Sequence, residues 1–198
     1  MLLRILILIF LSSVLIGAGD PLKGADKVQT CSACHGVDGN SQVGLWPSLA
    51  GQNEKYLLRQ LRNMKSGERP VIEMAGLLDN FDEQDLSDMA SYYAKKKNAI
   101  GQVSKDLAEI GSKLYYSGNL AKGIPACTAC HSPTGMGNIS AGYPLLSGQK
   151  SEYLEKTLKE YRTGTRGGGD QALIMQSVAS KLNDVEIEAL ANFMQALY

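Results

Sequence analysis

Apolar residues recur at helical spacing along most of the chain, and no stretch shows the strict alternation of apolar and polar residues that marks a half-buried strand. One helical pattern begins with Asn53 as a capping residue and ends at Gly67. A matching pattern begins with Ser151 as the cap and ends at Gly164. These patterns predict amphipathic helices of similar length in the two halves of the chain.

Two further helices are predicted by capping boxes, in which a polar cap is followed three residues later by an acidic residue. Asp82 with Asp85 forms one box, and Asn183 with Glu186 forms the other. The apolar positions after each box share one helical face, which consists of Leu86, Met89, Ala90 and Tyr93 in the first helix and Ile187, Leu190, Ala191 and Met194 in the second. The sequence therefore predicts an all-α protein.

The sequence also repeats itself over long stretches. The motif Cys-x-x-Cys-His occurs at 31–35 and again at 127–131, and segment 46–52 matches segment 143–149. The repeat is too long for a solenoid unit. It indicates a duplicated small domain.

We place the two domains at 20–101 and 102–198. Segments 23–30 and 106–117, which precede the two motifs, add a further helical pattern to each domain. Three or four short helices in about 80 residues bury too little apolar surface to be stable alone. Another group must therefore fill each core.

Residues 1–19 have the features of a signal peptide. Arg4 precedes an apolar run that ends in small residues, and the run is shorter than the roughly 20 apolar residues that a spanning helix needs. We expect cleavage after Ala18 or Gly19 and export to the periplasm. A retained anchor is the alternative, and peripheral association with the membrane is compatible with either.

The charge balance excludes one class of partner. Lys and Arg together number 20, Asp and Glu together number 20, and the formal net charge is zero. The chain therefore lacks the basic character that binding to nucleic acid requires.

The two Cys-x-x-Cys-His motifs have four interpretations. A disulfide within either pair would close too short a loop to stabilise the fold, and a dithiol redox site would need a βαβ surrounding that the sequence does not predict. A four-sulfur zinc site would leave both adjacent histidines without a role. Covalent attachment of haem uses every residue, because the thiols bond to the porphyrin edge and the histidine binds iron. We therefore predict two haem c groups, attached through Cys31, Cys34, Cys127 and Cys130.

The histidine count then limits the iron ligands. The chain has two histidines, His35 and His131, and both belong to the motifs, so the remaining axial ligand of each iron is predicted to be a methionine. Met74 and Met175 correspond to each other and are expected in loops between the last two helices of their domains. The other candidates are expected in the core (Met64, Met89 and Met194) or have no counterpart in the first half (Met136).

Groups around the ligands are also predicted. The backbone carbonyls of Pro47 and Pro144 are candidates to accept a hydrogen bond from the ligating histidines, with simple turn residues as the alternative. Six side chains can bind haem propionates, with core-rim residues and solvated charges as the alternative: Trp46, Tyr56, Arg69, Tyr143, Tyr153 and Arg166.

The chain resembles the cytochrome c4 family, periplasmic diheme cytochromes built from two class I cytochrome c domains. The segments that carry the resemblance are 31–35, 127–131, the stretch from Pro47 to Leu57 with its copy, and the approach to the second motif at 118–127. The resemblance covers essentially all of 20–198. It implies tandem cytochrome c-like domains, His/Met ligation of both irons, and haem edges joined near the domain interface by propionate hydrogen bonds.

These observations predict an electron carrier rather than an enzyme, because an iron with both axial positions filled has no place for substrate. We expect single electrons to arrive from a membrane quinol-oxidising complex. The resemblance implies delivery toward a membrane terminal oxidase, or else a reductase. The alternatives are the cytochrome subunit of a flavocytochrome-type dehydrogenase, a diheme peroxidase, and a zinc-stabilised binding module.

Overall fold

The computed structural model describes residues 18–198 as nine α-helices and two short 3-10 helices. The predicted signal peptide at 1–19 lies outside the described residues apart from Ala18 and Gly19. The α-helices are α1 (Pro21–Lys27), α2 (Ser32–His35), α3 (Glu54–Ser66), α4 (Glu83–Ala94), α5 (Lys105–Ser117), α6 (Thr128–His131), α7 (Ser151–Thr163), α8 (Asp170–Ala179) and α9 (Asp184–Met194). The 3-10 helices lie at Ile72–Met74 and Leu120–Lys122.

The predicted all-α class is confirmed. Over the range 18–198 the β-type pairing is confined to two isolated bridges, between Asn119 and Ile124 and between Asn138 and Tyr143. None of the helices in that same range is long and apolar enough to cross a membrane.

The helix starts follow local chemistry, with one difference from expectation. Both predicted capping boxes are formed, at the N-termini of α4 and α9. Asn53 caps α3 by accepting a hydrogen bond from the Tyr56 N–H. Ser151, however, was predicted as a cap and is instead the first residue of α7, because Lys150 occupies the capping position. That start is set by Gln149, whose side-chain oxygen accepts the Lys150 N–H at 3.0 Å.

Each half of the molecule has its own apolar core. In the first half, α1 and α3 pack against α4, and in the second half α5 and α7 pack against α9. The two faces predicted behind the capping boxes are buried at every position. These faces form the centre of the two cores, which also receive the first cysteine of each motif.

The segments that carry the two candidate methionine ligands differ from the expected loops. Met74 ends the 3-10 helix Ile72–Met74, whereas Met175 lies within α8, a helix of 10 residues. Pro70 and Gly76, which has φ of 78°, confine the first segment to a single short turn. The segment 170–179 contains neither proline nor glycine and continues as a regular helix.

Candidate functional site

Each Cys-x-x-Cys-His motif forms a single helical turn. The N–H of His35 donates to the Cys31 carbonyl at 2.9 Å, and the N–H of His131 donates to the Cys127 carbonyl at 2.9 Å. The first cysteine and the histidine of each motif therefore lie one turn apart on the same side of the helix. All four thiols, which fall in the described part of the chain, are free of disulfides.

The histidine rings are held in one tautomer. The Nδ1 atom of His35 lies 2.8 Å from the Pro47 carbonyl oxygen, and Nδ1 of His131 lies 3.1 Å from the Pro144 carbonyl oxygen. A carbonyl oxygen can only accept, so Nδ1 carries the proton and Nε2 keeps its lone pair. Burial lowers the pKa of both rings against the opposing effect of these hydrogen bonds, so each imidazole is neutral and able to bind a metal ion.

The thiols at the two cores are protonated at neutral pH. Burial raises the pKa of Cys31 and raises that of Cys127 to about 11. Met74 and Cys31 both pack against the first core, and Met175 and Cys127 both pack against the second core.

The remaining methionine candidates lie elsewhere. Met89 and Met194 are buried inside the cores, and Met64 packs against the first core from α3. Met136 is 54% exposed in the loop after the second motif. Each core therefore has one histidine at its motif and one corresponding methionine on a separate segment.

A shared metal site between the two motifs is not formed. Among residues 18–198, no three His, Cys, Asp or Glu side chains come close enough together to hold a metal ion. The two cysteine pairs consequently do not meet in the way that a four-sulfur zinc site would require.

Two arginines are buried where the domains meet. Arg166 donates from Nη2 to the Tyr56 hydroxyl at 3.1 Å, and Arg69 donates from Nη2 to the Tyr153 hydroxyl at 3.2 Å. Within the described range, nothing accepts a hydrogen bond from Nε or Nη1 of Arg166, although its side chain is only 1% exposed. The Glu160 carboxylate, 3.7 Å away from Nη1, forms its nearest ion pair.

This cluster has an excess of positive charge. Burial alone raises the pKa of a phenol, and it raises that of Tyr56 to about 12. At Tyr153 the effect of burial is outweighed by the charges of Arg166 and Arg69, and the pKa falls to about 7. Buried, unpartnered guanidinium N–H groups favour an anion with several acceptor oxygens, and carboxylates such as haem propionates fit that requirement.

Two glutamines that sequence reasoning did not select join the domains reciprocally. Gln149 accepts the Ser48 N–H at 2.8 Å and donates to the Ser48 carbonyl at 2.8 Å. Gln52 accepts the Leu145 N–H at 2.8 Å and donates to the Leu145 carbonyl at 2.9 Å. The sequence does contain a signal, because both glutamines occupy the same position in the repeat, directly after a glycine.

Comparisons with known proteins agree with this architecture. The family model for cytochrome c matches residues 22–95 and 108–198. Cytochrome c4 of Pseudomonas aeruginosa is 43% identical over 198 residues, covering 100% of this chain and 98% of that protein. The crystal structure of reduced cytochrome c4 from Pseudomonas stutzeri superposes with a TM-score of 0.89 at 46% identity, covering 91% of this chain and 100% of that one.

A more distant relative has a different named role. The thiosulfate dehydrogenase electron acceptor of Thiomonas intermedia is 34% identical over 175 residues, which cover 86% of this chain and 79% of that protein. The two-domain design is therefore shared by proteins whose names place them in different electron-transfer systems.

Proposed function

The chain belongs to the cytochrome c4 family of two-domain cytochromes c and is a diheme electron carrier, and we propose from this premise that it transfers single electrons in the periplasmic part of a respiratory chain. Two covalent haem c groups supply the chemistry, which is one-electron exchange at iron. Everything else that the function needs comes from the side chains around each core. The observation that carries the proposal is the duplication of one complete set of those side chains.

We propose that one set consists of Cys31 and Cys34 for attachment and His35 and Met74 for axial ligation. The second set consists of Cys127 and Cys130 for attachment and His131 and Met175 for axial ligation. The fixed Nδ1–H tautomer of both histidines supports this assignment, since Nε2 is left as the ligating atom. The packing of each methionine against the same core as the first motif cysteine also supports it.

The arginine and tyrosine cluster supports a further part of the proposal. We assign Arg69 and Arg166 to the propionate groups of the two haems, because buried guanidinium charges need carboxylate partners. Tyr56 and Tyr153, which bond to these arginines across the domain boundary, hold them in place. The cluster would thus bring the propionate edges of both haems to one buried position.

The division of the chain and its location are part of the same proposal. We place the domain boundary between residues 101 and 102, because the two apolar cores draw their members from opposite sides of it. We infer export through a signal peptide at 1–19. The Asp20 N–H already donates to the buried Asp88 carboxylate at 2.9 Å, which supports cleavage no later than Gly19.

For partners, we propose a membrane quinol-oxidising complex as the electron donor and a terminal oxidase or reductase as the acceptor. A second candidate is acceptance of electrons from a thiosulfate dehydrogenase, which the Thiomonas relative's name favours. The two differ in the electron donor, which is a membrane quinol-oxidising complex in the first candidate and a thiosulfate dehydrogenase in the second.

The test uses the haem-loaded protein, in its oxidised form for spectroscopy and in its reduced form for the reaction with membranes. A potentiometric titration followed in the visible region should show two one-electron steps and, when oxidised, the weak sulfur-to-iron band near the red edge of the spectrum. Membranes that contain a terminal oxidase should then reoxidise the reduced protein without thiosulfate. Failure with membranes, together with rapid reduction by a thiosulfate dehydrogenase and thiosulfate, would favour the second candidate.

A further inference from the structure

One peptide group in each domain contacts both a motif histidine and the opposite domain. The carbonyl of Pro47 and the N–H of Ser48 belong to the same peptide unit, as do the carbonyl of Pro144 and the N–H of Leu145. In each unit the carbonyl accepts from the histidine of its own domain. The N–H donates to a glutamine of the other domain.

The glutamine–peptide bond and the peptide–histidine bond form a continuous chain from each domain to the histidine of the other. Gln149 Oε1 accepts from the Ser48 N–H at 2.8 Å, and the Pro47 oxygen of the same peptide lies 2.8 Å from Nδ1 of His35. In the mirror arrangement, Gln52 Oε1 accepts from the Leu145 N–H at 2.8 Å. There the oxygen of Pro144 lies 3.1 Å from Nδ1 of His131.

The glutamine amides are fixed in orientation. Gln149 Oε1 also accepts the Lys150 N–H at 3.0 Å, and Gln52 Oε1 also accepts the Asn53 N–H at 2.8 Å. Each Oε1 therefore receives two N–H groups while Nε2 donates to a carbonyl, so exchanging the amide oxygen and nitrogen would break all three bonds. The preceding Gly51 and Gly148, both with φ of 69°, turn the backbone into this position.

A peptide unit transmits polarisation because its N–H and C=O are joined by resonance. An acceptor at the N–H makes the carbonyl oxygen more negative, and hydrogen bonds in a chain strengthen one another. Ser48, Gln149, Leu145 and Gln52 are each at most 7% exposed, and the two prolines that carry the carbonyls are half-buried. Water therefore provides little screening, and the effect reaches the histidine Nδ1–H.

We propose that Gln149 and Gln52 are positioning residues that tune the iron centre of the opposite domain through the Pro47–Ser48 and Pro144–Leu145 peptides. The inference rests on the proposed ligation of iron by His35 and His131. A stronger acceptor at Nδ1–H makes the imidazole a more basic ligand, which favours oxidised iron. Gln149 consequently lowers the reduction potential of the first centre, and Gln52 lowers that of the second.

The test is a crossed pair of substitutions in the haem-loaded full chain. Gln149→Leu and Gln52→Leu keep most of the side-chain volume and remove the acceptor. Redox titrations followed by NMR give the potential of each centre, and ¹⁵N-labelled histidine reports each Nδ1–H. The control is Asn63→Ala, which removes a neutral, partly buried hydrogen bond across the domains, from Nδ2 to the Gly168 carbonyl at 3.4 Å, without touching either proline peptide.

Each leucine substitution should affect the iron centre of the opposite domain. Gln149→Leu should raise the first potential and shift the His35 Nδ1–H, while leaving the second potential and His131 at their wild-type values. Gln52→Leu should do the reverse, and Asn63→Ala should alter neither histidine. Equal shifts of both potentials in each variant, or a shift confined to the glutamine's own domain, would overturn the proposal.

Two measurements keep this test independent of folding and of the ligation itself. If a leucine variant fails to load haem, Gln149→Glu retains an acceptor for the Ser48 N–H. A lowered first potential with an altered His35 Nδ1–H supports the proposal, and an unaltered His35 signal contradicts it. The wild-type spectrum is recorded first, because the absence of paramagnetic shifts on both histidines would refute the ligation rather than the tuning.

Discussion

Arg166 of the second domain donates a hydrogen bond to the phenol of Tyr56 in the first domain, 3.1 Å from Nη2 to the hydroxyl oxygen. The bond from Arg69 to Tyr153 is its counterpart in the opposite direction. Two phenols and the Glu160 carboxylate, 3.7 Å from Arg166, do not balance two buried guanidinium charges, and burying a cation is costly unless an anion compensates it. The domain boundary is therefore built to receive negative charge.

The first prediction concerns that charge. Arg166→Gln should lower the reduction potentials of the haem-loaded protein, because a nearby cation favours the reduced state, which has the more negative charge. The expected change is on the order of 1 kcal/mol per centre. Arg162→Gln on the same stretch of chain is the control, since the half-buried Arg162 already pairs with the Asp184 carboxylate and donates to the Leu182 carbonyl. Equal effects from the two substitutions in a potentiometric titration would contradict the assignment of Arg166.

The second prediction concerns the contact between α5 and α9. A Cβ atom on Gly111 would lie 2.3 Å from the Ala189 carbonyl oxygen and 2.6 Å from Cβ of Phe193. Alanine is better than glycine in a helix by about 1 kcal/mol, but this clash involves backbone that cannot move aside cheaply. Gly111→Ala should lower the free energy of unfolding by about 1–3 kcal/mol in urea denaturation.

Ser112→Ala, the next residue of α5, provides the matched control. It should change the free energy of unfolding by no more than about 0.5 kcal/mol, as expected for substitutions away from tight contacts. A Gly111→Ala protein as stable as the wild type would mean that the two helices can separate slightly without loss.

The sequence predicted the features that depend on neighbours along the chain. The pair Asp82 and Asp85 predicts the start of a helix, because a capping box involves residues three positions apart. The apolar faces of α4 and α9 follow from the helical period in the same way. The motif histidines were selected as candidate ligands because cysteines at fixed spacing precede them.

The contacts between the domains were not predicted in this way. Gln149 bonds to Ser48, about half a chain away, and no periodic pattern connects the two residues. The repeat shows that the two halves are equivalent, but it does not show that the glutamine of each half would bind the residue after the proline in the other half. The helical state of Met175 was also missed, because it depends on the absence of Pro and Gly in a segment aligned with one that contains both.

The third prediction tests the methionine ligands. Met175→Leu and Met74→Leu should each remove about half of the weak sulfur-to-iron band in the oxidised spectrum, because each variant loses one of two thioether ligands. The potential of the affected centre should fall, since methionine ligation raises it. Met136→Leu is the control, because Met136 is exposed outside both cores. Loss of the band in Met136→Leu, or its full retention in Met175→Leu, would contradict the assignment.

An acidic group that fastens α1 to α4 gives the last prediction. The Asp88 side chain is fully buried and accepts from the Asp20 N–H at 2.9 Å and from Lys27 Nζ at 2.7 Å. Burial raises the pKa of Asp88, but these hydrogen bonds outweigh it and bring the pKa down to about 2. An unfolded aspartate titrates at about 3.9. The folded state therefore prefers the charged form.

Because the folded pKa lies below the unfolded value, the stability from Asp88 is fully present above about pH 5 and is lost as the pH falls toward 2. Asp88→Asn should lower the free energy of unfolding by roughly 2 kcal/mol at pH 7, and the difference from wild type should shrink steadily below pH 4. Asp184→Asn is the control, since the Asp184 side chain is 74% exposed and its pair with Arg162 contributes little to stability. Urea denaturation at pH 7, 4 and 3 measures both. Loss of the histidine ligands in acid affects wild type and variant equally, so it cancels in the difference between their free energies of unfolding. A difference that stays constant with pH would show that Asp88 stabilises the fold through its shape rather than its charge.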